Sequence, residues 1–521
     1  MDRKKIFFVT LFSTIFMALF FILIAFITIL IIDGRHVSIY LIFIIVILFI
    51  VNAITSFYIL NSKKRIMNVK LCWIFVINCL PIVGIFTFFI FGIIPFKIKT
   101  TKEIKKHSLE FDRCEDLTFT KQFLADKTNI EKYSDFQFIY NYSNSAIYQN
   151  NSIEIIDQSD MFKTTIEYIR KAKEFIHLQY YIVSDSAWFY FLIEELVKKS
   201  KEGVKVRFMF DWAGSHKRFK VANMEFMQKN GIEILTFNPQ GFNKYTSITN
   251  FRSHRKALIV DNKYCITGGS NIGDEYINLK KGYDNWKDLN FLLEGEIVNS
   301  INLRFCNDWI YYTNFYKDKT KDDKFYKNFK IHQPEKNEKM ICQIVNSSPE
   351  FDVFVFQSTV SAKISNAKKS IWIFTPYLLI PEEITNQLIF AGIRGLDVRI
   401  MVPHFPDDKK FILAGNRSMY SKLMNAKVKI FEYYGFLHSK AIIIDDDQVL
   451  IGTNNMDFRS LIINFETSIS VISPTFNKKM KKIFLADQKT SKIITKEYLE
   501  EKLKLKTRIF IGFIRVIQPL L

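Results

Sequence analysis

The sequence predicts an α/β protein whose two duplicated lobes form one active site, preceded by N-terminal transmembrane helices. Two observations carry this prediction. A segment at residues 251–274, FRSHRKALIVDNKYCITGGSNIGD, recurs at 436–457 as FLHSKAIIIDDDQVLIGTNNMD. Apolar runs long enough to span a bilayer fill the first hundred residues. From about residue 110, short β-branched and aromatic runs alternate with helical stretches, which is the pattern of an α/β fold.

The composition indicates an anionic partner. The chain has 521 residues, a formal net charge of +20 and a pI near 9.4. Such a field attracts nucleic acid or an anionic lipid surface, and the apolar N-terminal runs favour lipid over nucleic acid. The six cysteines form no C-x-x-C pair, so we expect neither a disulfide framework nor a zinc site. We expect no metal and no cofactor.

Residues 1–96 are predicted to form the membrane anchor. The run at 6–32 is longer than the core of a signal peptide and no small-residue cleavage site follows it, so it is predicted to stay as a spanning helix. The run at 38–60 is a second spanning helix. The run at 71–95 is interrupted by Pro81, Gly84 and Gly92, which permits either a crossing or a re-entrant segment.

The positions of lysine and arginine predict the topology. The loop between the first two runs carries only Arg35, whereas the other flanking segments are basic. This asymmetry favours two crossings plus a re-entrant third segment, with the catalytic lobes on the cytoplasmic side of the cell membrane. Three plain crossings remain the alternative.

The predicted elements of the first lobe alternate between helices and strands. We predict helices at 164–174, 188–202 and 221–229, and strands at 175–182, 204–210, 231–237, 257–260 and 264–267. The second half repeats this order. AKEFIHL at 172–178 matches AKKSIWI at 367–373, GVKVRFMF at 203–210 matches GLDVRIMV at 395–402, and NGIEILTF at 230–237 matches NAKVKIFE at 425–432. Such recurrence indicates a duplicated domain.

This repeat sets the domain boundaries. The first lobe is predicted at 97–316, a charged linker at 317–340, the second lobe at 341–490, and a C-terminal amphipathic tail at 491–521. The tail RIFIGFIRVIQPLL is too short to span a bilayer, so it is either a surface element or a packed helix.

The repeated segment carries the candidate chemistry. Residues two apart on a strand point to the same face, so His254 projects with Lys256, and His438 with Lys440. Two imidazoles and two ammonium groups around one point suit a phosphoryl group. The lysines neutralise the non-bridging oxygens, one histidine attacks phosphorus, and the other protonates the leaving oxygen.

The remaining candidates support these four side chains. A carboxylate must hold each histidine in one tautomer, and Asp288 and Glu466 each follow the histidine of their own repeat. Asp261 and Asp445 complete the H-x-K-x4-D motifs at the end of a strand, so we assign them a turn-holding role. In the Gly-x-x-Asn turns, Asn271 and Asn455 are candidate donors to the substrate phosphate.

These residues resemble the phospholipase D superfamily and, within it, the bacterial cardiolipin synthases. The resemblance covers about residues 70–521. Its specific pieces are WIFVINCLPIVGIFTFFIFG, HLQYYI, SHRKALIVD, GGSNIGDEY, WKD, TPYLLIP, GFLHSKAIIID, GTNNMDFRSLIINFE and the terminal PLL. It implies transfer of a phosphatidyl group between two phosphatidylglycerol molecules through a phosphatidyl-histidine. His254 would be the nucleophile, His438 the acid and base, and Asp288 and Glu466 the supporting carboxylates.

The chain departs from the common family pattern at Ser253, Gln179 and Thr453, where Asn, Glu and Ser are usual. Symmetry of the two motifs leaves open which histidine attacks first. Three other functions also stay open: a phospholipase or nuclease that transfers the group to water, another phosphatidyltransferase on the same fold, and a non-enzymatic tether to anionic membranes. The oligomeric state is not predicted.

Overall fold

The computed structural model describes residues 35–62, 67–89, 115–238, 251–282, 285–315, 329–336, 338–349, 351, 354–405, 410–502 and 511. They fall into two compact units, an N-terminal one that includes 35–89 and a larger one that begins before residue 115 and extends to 511. The first predicted spanning run, 6–32, lies outside the described residues, as does most of the predicted C-terminal tail.

The N-terminal unit contains the apolar helices Arg35–Asn61, Met67–Cys79 and Pro81–Thr87. Among the described residues, one helix is long and apolar enough to cross a membrane: Phe43–Asn61 has a mean hydropathy of 2.6. The helices pack through Ile59, Trp73, Ile77 and Phe88.

The third apolar segment bends where Pro81 predicts a break. Leu80 leaves the helical region, with φ −134° and ψ 72°, and Pro81 opens the next short helix. That helix returns closely against its predecessor, because a Cβ on Gly84 would lie 2.6 Å from the carbonyl oxygen of Val76.

The larger unit consists of two mixed α/β lobes. Its strands are β1 (Ile147–Tyr148), β2 (Asn151–Ile156), β3 (Phe175–Tyr180), β4 (Lys205–Asp211), β5 (Glu233–Phe237), β6 (Ala257–Val260), β7 (Tyr264–Gly268), β8 (Trp286–Lys287), β9 (Asn290–Gly295), β10 (Ile341–Ser347), β11 (Ser370–Phe374), β12 (Leu378–Leu379), β13 (Asp397–Pro403), β14 (Lys429–Tyr433), β15 (Phe436–Leu437), β16 (Ala441–Ile444), β17 (Gln448–Gly452), β18 (Met456–Asp457), β19 (Glu466–Ile472) and β20 (Ser491–Ile493).

Its helices are Thr118–Ala125, Lys127–Lys132, Ser134–Ser143, Met161–Lys171, Ala187–Lys201, Trp212–Ser215, Val221–Lys229, Ile297–Phe315, Val355–Asn366, Glu382–Ile393, Lys410–Met424, Phe458–Ile462, Pro474–Lys489 and Lys496–Lys502, with a 3-10 helix at Asp274–Ile277.

The two sheets repeat one topology. The first lobe has the order β2-β9-β7-β6-β3-β4-β5, and the second contains β10-β19-β17-β16-β11-β13-β14 in the middle of its sheet. In the first lobe β3, β4 and β5 are parallel, and β6, the first strand of the motif hairpin, pairs antiparallel to β3. In the second lobe β11, β13 and β14 are parallel, and β16 pairs antiparallel to β11. The predicted duplication is therefore confirmed.

The elements predicted for the first lobe agree with the structure to within a few residues. The helix Val221–Lys229 and the strand Ala257–Val260 have the predicted bounds, and the remaining predicted elements shift by one to three residues at their ends. The periodic apolar residues that predicted these elements lie in one core beneath the sheet, with Ile176, Leu192, Phe208 and Leu258 fully enclosed.

Two segments associate with the second lobe although the sequence placed them elsewhere. In the range predicted for the first lobe, β1 pairs with β10 and Phe136 packs beside Ile472. The buried pair Lys363–Asp135, 2.9 Å apart, ties this segment to a second-lobe helix. At the start of the predicted tail, β20 pairs with β14, and Leu499 joins the second-lobe core.

Candidate active site

The first motif is held by the second lobe through its backbone. The amide of His254 donates to the carbonyl of Phe465 at 2.8 Å, and the amide of Phe465 donates to the carbonyl of Arg252 at 2.8 Å. The segment before β6 therefore runs parallel to the chain that enters β19. This pairing brings Glu466 beside His254.

Glu466 fixes the orientation of the first imidazole. The Nδ1 atom of His254 lies 2.9 Å from Oε2 of Glu466, and the carboxylate is fully buried. Three neutral groups also donate to this carboxylate: the Thr453 hydroxyl at 2.6 Å, the Ser460 hydroxyl at 2.8 Å and the Asn464 amide at 3.2 Å. A carboxylate held in this way keeps the proton on Nδ1 and leaves the Nε2 lone pair for attack.

The second motif repeats this arrangement with the lobes exchanged. The strand β15 pairs in parallel with β8, and the amide of His438 donates to the carbonyl of Lys287 at 2.7 Å. The Nδ1 atom of His438 then lies 2.7 Å from Oδ2 of Asp288. A Cβ on Gly269 would fall 1.9 Å from Oδ1 of Asp288, so only glycine permits this carboxylate position.

The structure corrects one expectation. The sequence associated Asp288 with His254 and Glu466 with His438, because each carboxylate follows the histidine of its own repeat. Instead each lobe supplies the carboxylate for the histidine of the other lobe. The physical reason is the short strand pairing that joins the lobes. Asp288 directly follows β8, which pairs with β15 just before His438, and Glu466 directly follows Phe465, which pairs with Ser253 just before His254.

The two lysines lie beside their own histidines. The Nζ atom of Lys256 donates to the carbonyl of His254 at 2.7 Å, and Nζ of Lys440 lies 2.8 Å from Nδ1 of His438 and also donates to its carbonyl. All four side chains are at least nine-tenths buried. The charge of Lys440 acts on His254 and that of Lys256 acts on His438, so both motifs contribute to one site.

Burial sets the protonation states of this site. It lowers the pKa of His438 to about 3, helped by Lys440, and it also lowers the pKa of His254. Burial lowers the pKa of Lys256 to about 7 and of Lys440 to about 8, although Glu466 and Asp288 oppose it. Burial raises the pKa of Glu466, but the interactions with His254 and Lys256 and the hydrogen bond from Thr453 outweigh it and lower that pKa overall.

These pKa values predict that activity declines as the pH rises from 7 to 9. The attacking imidazole stays neutral throughout, whereas both lysines lose the proton that lets them neutralise a phosphodiester. We expect kcat/KM to fall with apparent pKa values near 7 and 8. We expect kcat to fall only at higher pH, because the negative charge of the bound phosphate raises the pKa of both lysines. Initial rates measured between pH 5 and 9 check this; a rate constant that increases above pH 7 contradicts it.

Asp261 and Asp445 lie at the other end of the hairpins from the histidines. The Asp261 carboxylate accepts the amides of Lys173, Glu174 and Phe175, where β3 begins. Asp445 accepts the amides of three residues where β11 begins, namely Lys368, Lys369 and Ser370. These contacts agree with the turn-holding role assigned from the sequence.

The two asparagines make internal contacts. Asn271 accepts the amide of Ile182 at 3.0 Å and donates to the Tyr276 hydroxyl at 3.0 Å. Asn455 is buried, and its side chain hydrogen-bonds to Asp457. Burial raises the pKa of Asp457, and this hydrogen bond opposes part of that rise. Their role as phosphate donors stays a prediction.

Several residues around the first histidine were not predicted. Arg255, between His254 and Lys256, forms a buried ion pair with Asp308 and donates to Thr467 at 3.1 Å, which ties the motif to both lobes. Ser460 and Asn464 contact Glu466. No spacing in the sequence signals the Arg255 contacts, because they join distant segments, whereas Ser460 and Asn464 lie within six residues of Glu466.

The three departures from the family pattern are accommodated. The Gln179 amide donates to the Ser253 hydroxyl at 3.1 Å and to Asp308 at 2.9 Å, so two of the unusual residues contact each other. Thr453 retains the hydroxyl that donates to Glu466. Among the described residues, no group of three or more His, Cys, Asp or Glu side chains is placed to hold a metal ion.

Duplicated α/β lobes that join two H-x-K motifs at one buried site define the phospholipase D superfamily. The chain belongs to the cardiolipin synthase family with the phospholipase D-like domain, whose family model matches residues 165–309 and 360–488.

Individual relatives agree with this assignment. The chain is 33% identical over 468 residues to a cardiolipin synthase of Clostridium perfringens (strain SM101 / Type A), covering 88% of this chain and 95% of the relative. It is 30% identical over 491 residues to the major cardiolipin synthase ClsA of Bacillus subtilis (strain 168), covering 91% and 98%. The crystal structure of phosphatidylserine synthase from Haemophilus influenzae Rd KW20 has a TM-score of 0.55 at 15% identity, covering 75% of this chain and 99% of that one, and so supports the fold alone.

Proposed function

We propose that this protein is a phosphatidyltransferase that converts two molecules of phosphatidylglycerol into cardiolipin and glycerol. The observation that carries the proposal is the pair of buried histidines, each held at Nδ1 by a carboxylate from the other lobe. Family membership supports the substrate class. The reaction needs no cofactor, because both proton transfers and the covalent step are assigned to side chains of the site.

In the first step, Nε2 of His254 attacks phosphorus of one phosphatidylglycerol. The phosphorus–oxygen bond to the terminal glycerol breaks, and a phosphatidyl-histidine forms. His438 donates a proton to the departing glycerol oxygen. Burial lowers the pKa of His438, so this step depends on the negative charge of the bound phosphodiester, which raises that pKa again. Lys256 and Lys440 stabilise charge on the non-bridging oxygens.

The second step reverses these roles. His438, now neutral, takes the proton from the free glycerol hydroxyl of a second phosphatidylglycerol. That oxygen attacks phosphorus, the phosphorus–nitrogen bond breaks, and His254 returns to its neutral form. Asn271 and Asn455 are proposed as further donors to the phosphate, after a change in their present contacts.

Several features support a membrane location. The apolar helix Phe43–Asn61 has the length and composition of a membrane span, and the bend at Leu80 and Pro81 suits a re-entrant hairpin rather than a third crossing. Together with the distribution of basic residues, they support a multi-pass anchor in the cell membrane with the catalytic lobes on the cytoplasmic side. The domain boundaries at 97, 317 and 341 belong to the same proposal, whereas β20 and Leu499 extend the second lobe beyond the boundary predicted at 491.

Reconstitution into phosphatidylglycerol vesicles tests the function. We expect one glycerol to be released for each cardiolipin formed, because the two steps share one intermediate. Phosphatidic acid as the only lipid product would instead assign the chain to the hydrolases of the superfamily. Binding to the vesicles without any product would indicate the non-enzymatic tether.

A further inference from the structure

One part of the catalytic edge of the first lobe is both basic and apolar. We call it the lobe 1 rim and define it as Lys217, Lys220, Val221, Leu279, Lys280 and Lys281. It comprises the segment after β4 and the loop after the 3-10 helix. Val221 is 67% exposed and Leu279 is 64% exposed, and basic side chains flank both. Exposed aliphatic side chains beside lysines are typical of a surface that contacts a bilayer.

The rim is tied directly to the first motif. Asp211, at the end of β4, accepts the amides of Ala213 and Gly214 at 2.8 and 3.2 Å and so fixes the turn that begins this segment. The same carboxylate accepts the amide of Ser253 at 3.0 Å. One fully buried side chain therefore holds both the start of the rim segment and the residue before His254.

A buried acidic side chain joins the two segments of the rim beneath the surface. Glu275 lies 3.3 Å from Arg218 and 3.8 Å from Lys280, and only 7% of its side chain is exposed. Asp185 lies 3.8 Å from Lys220 and is 15% exposed, whereas the Lys220 side chain is 74% exposed. The acids thus face inward and the lysines face outward, so the rim presents positive charge.

We propose that the lobe 1 rim docks on the surface of an anionic lipid bilayer, with Leu279 and Val221 entering the boundary between headgroups and acyl chains. The lysines provide the charge that complements anionic headgroups, and the exposed aliphatic side chains provide the apolar contact. Docking by this edge turns the side of the lobe that carries His254 toward the lipid headgroups. The inference deepens the proposed function, on which it rests, by identifying how the catalytic lobes meet their lipid substrate.

Site-specific photo-crosslinking of the full chain in phosphatidylglycerol proteoliposomes tests the docking. A benzophenone amino acid replaces Leu279 in one variant and Ile393 in a matched control. Ile393 is 65% exposed and ends a helix near the start of β13, at the edge away from the histidines. We expect lipid adducts at position 279 at least about tenfold above those at 393. Equal yields, or adducts at 279 with a second copy of the chain in place of lipid, would overturn the proposal.

Charge reversal gives a second measurement. The variant Lys217→Glu/Lys281→Glu is compared with Lys173→Glu/Lys201→Glu, whose exposed lysines lie at the opposite edge of the first sheet. In vesicles where neutral lipid dilutes phosphatidylglycerol, we expect the rim variant to raise the apparent KM about tenfold with little change in kcat. On dispersed short-chain phosphatidylglycerol both variants should match the unmodified protein. An equal effect of the two variants on vesicles, or an equal loss on both substrates, would refute bilayer docking.

The crosslinking experiment separates this inference from the proposed reaction. It is repeated in the His254→Ala background, in which no turnover is expected. Lipid adducts at position 279 that persist there support docking whatever reaction the site performs. A chain that makes cardiolipin but forms no adducts at 279 would retain the proposed function and lose the proposed surface.

Discussion

Replacing His254 by alanine is expected to reduce cardiolipin synthesis by at least about 10^4-fold, because the reaction loses the atom that attacks phosphorus. The variant should also fail to form a covalent phosphatidyl-enzyme. Phosphatidylglycerol labelled in its acyl chains, quenched after one turnover and resolved on a denaturing gel, measures the adduct directly. His332→Ala is the control, since His332 lies in the segment between the lobes.

The same measurement separates the two histidines. His438→Ala should lose net synthesis but still accumulate some labelled enzyme, because the nucleophile and its carboxylate remain in place. A label found on His438 and absent from His254 would reverse the proposed roles. Synthesis at the unmodified rate in His254→Ala would refute the two-histidine mechanism.

The second large effect is expected from Glu466→Gln, which preserves shape and removes charge. We expect kcat to fall by about 10^2- to 10^4-fold, because an amide stabilises neither the imidazole tautomer nor the imidazolium. The loss should appear in formation of the labelled enzyme, since Glu466 supports the nucleophile His254 from the other lobe. Glu335→Gln is a suitable control, because Glu335 forms an exposed pair with Lys263 at 3.2 Å.

Asp288→Asn should affect the steps of His438. Transfer to the second phosphatidylglycerol requires that histidine as a base, so the labelled enzyme should persist longer after a pulse of substrate than in the unmodified protein. The two variants together test the exchange of carboxylates between lobes. Slow decay of the label in Glu466→Gln together with normal decay in Asp288→Asn would contradict the crossed pairing.

Some features of the site follow from local sequence. His254 and Lys256 lie in the segment just before β6 and not in the strand itself, and their i, i+2 spacing places them together. The Asp261 turn closes a hairpin within a few residues. The recurrence of the motif predicts two equivalent lobes, which the common strand order confirms. Local periodicity is sufficient here because each element buries an apolar face against neighbours in its own lobe.

The pairing between lobes does not follow from the sequence. Glu466 is much nearer to His438 than to His254 along the chain, yet it contacts His254. Which carboxylate contacts which histidine depends on two short parallel pairings, of Ser253 with Phe465 and of β15 with β8. Both pairings exist only when the lobes dock. Arg255, Asp308 and Gln179 likewise meet only in the folded protein.

The sequence by itself determined the duplicated α/β lobes, the two H-x-K motifs and the apolar N-terminal runs, because each depends on local periodicity or on repetition. The tertiary structure decided which carboxylate serves which histidine, and it decided the protonation of the site. Packing of the lobes buries Lys256 and Lys440 together, and loss of solvation then lowers the pKa of both lysines. These properties arise from desolvation and from contacts between distant segments, which no local pattern records.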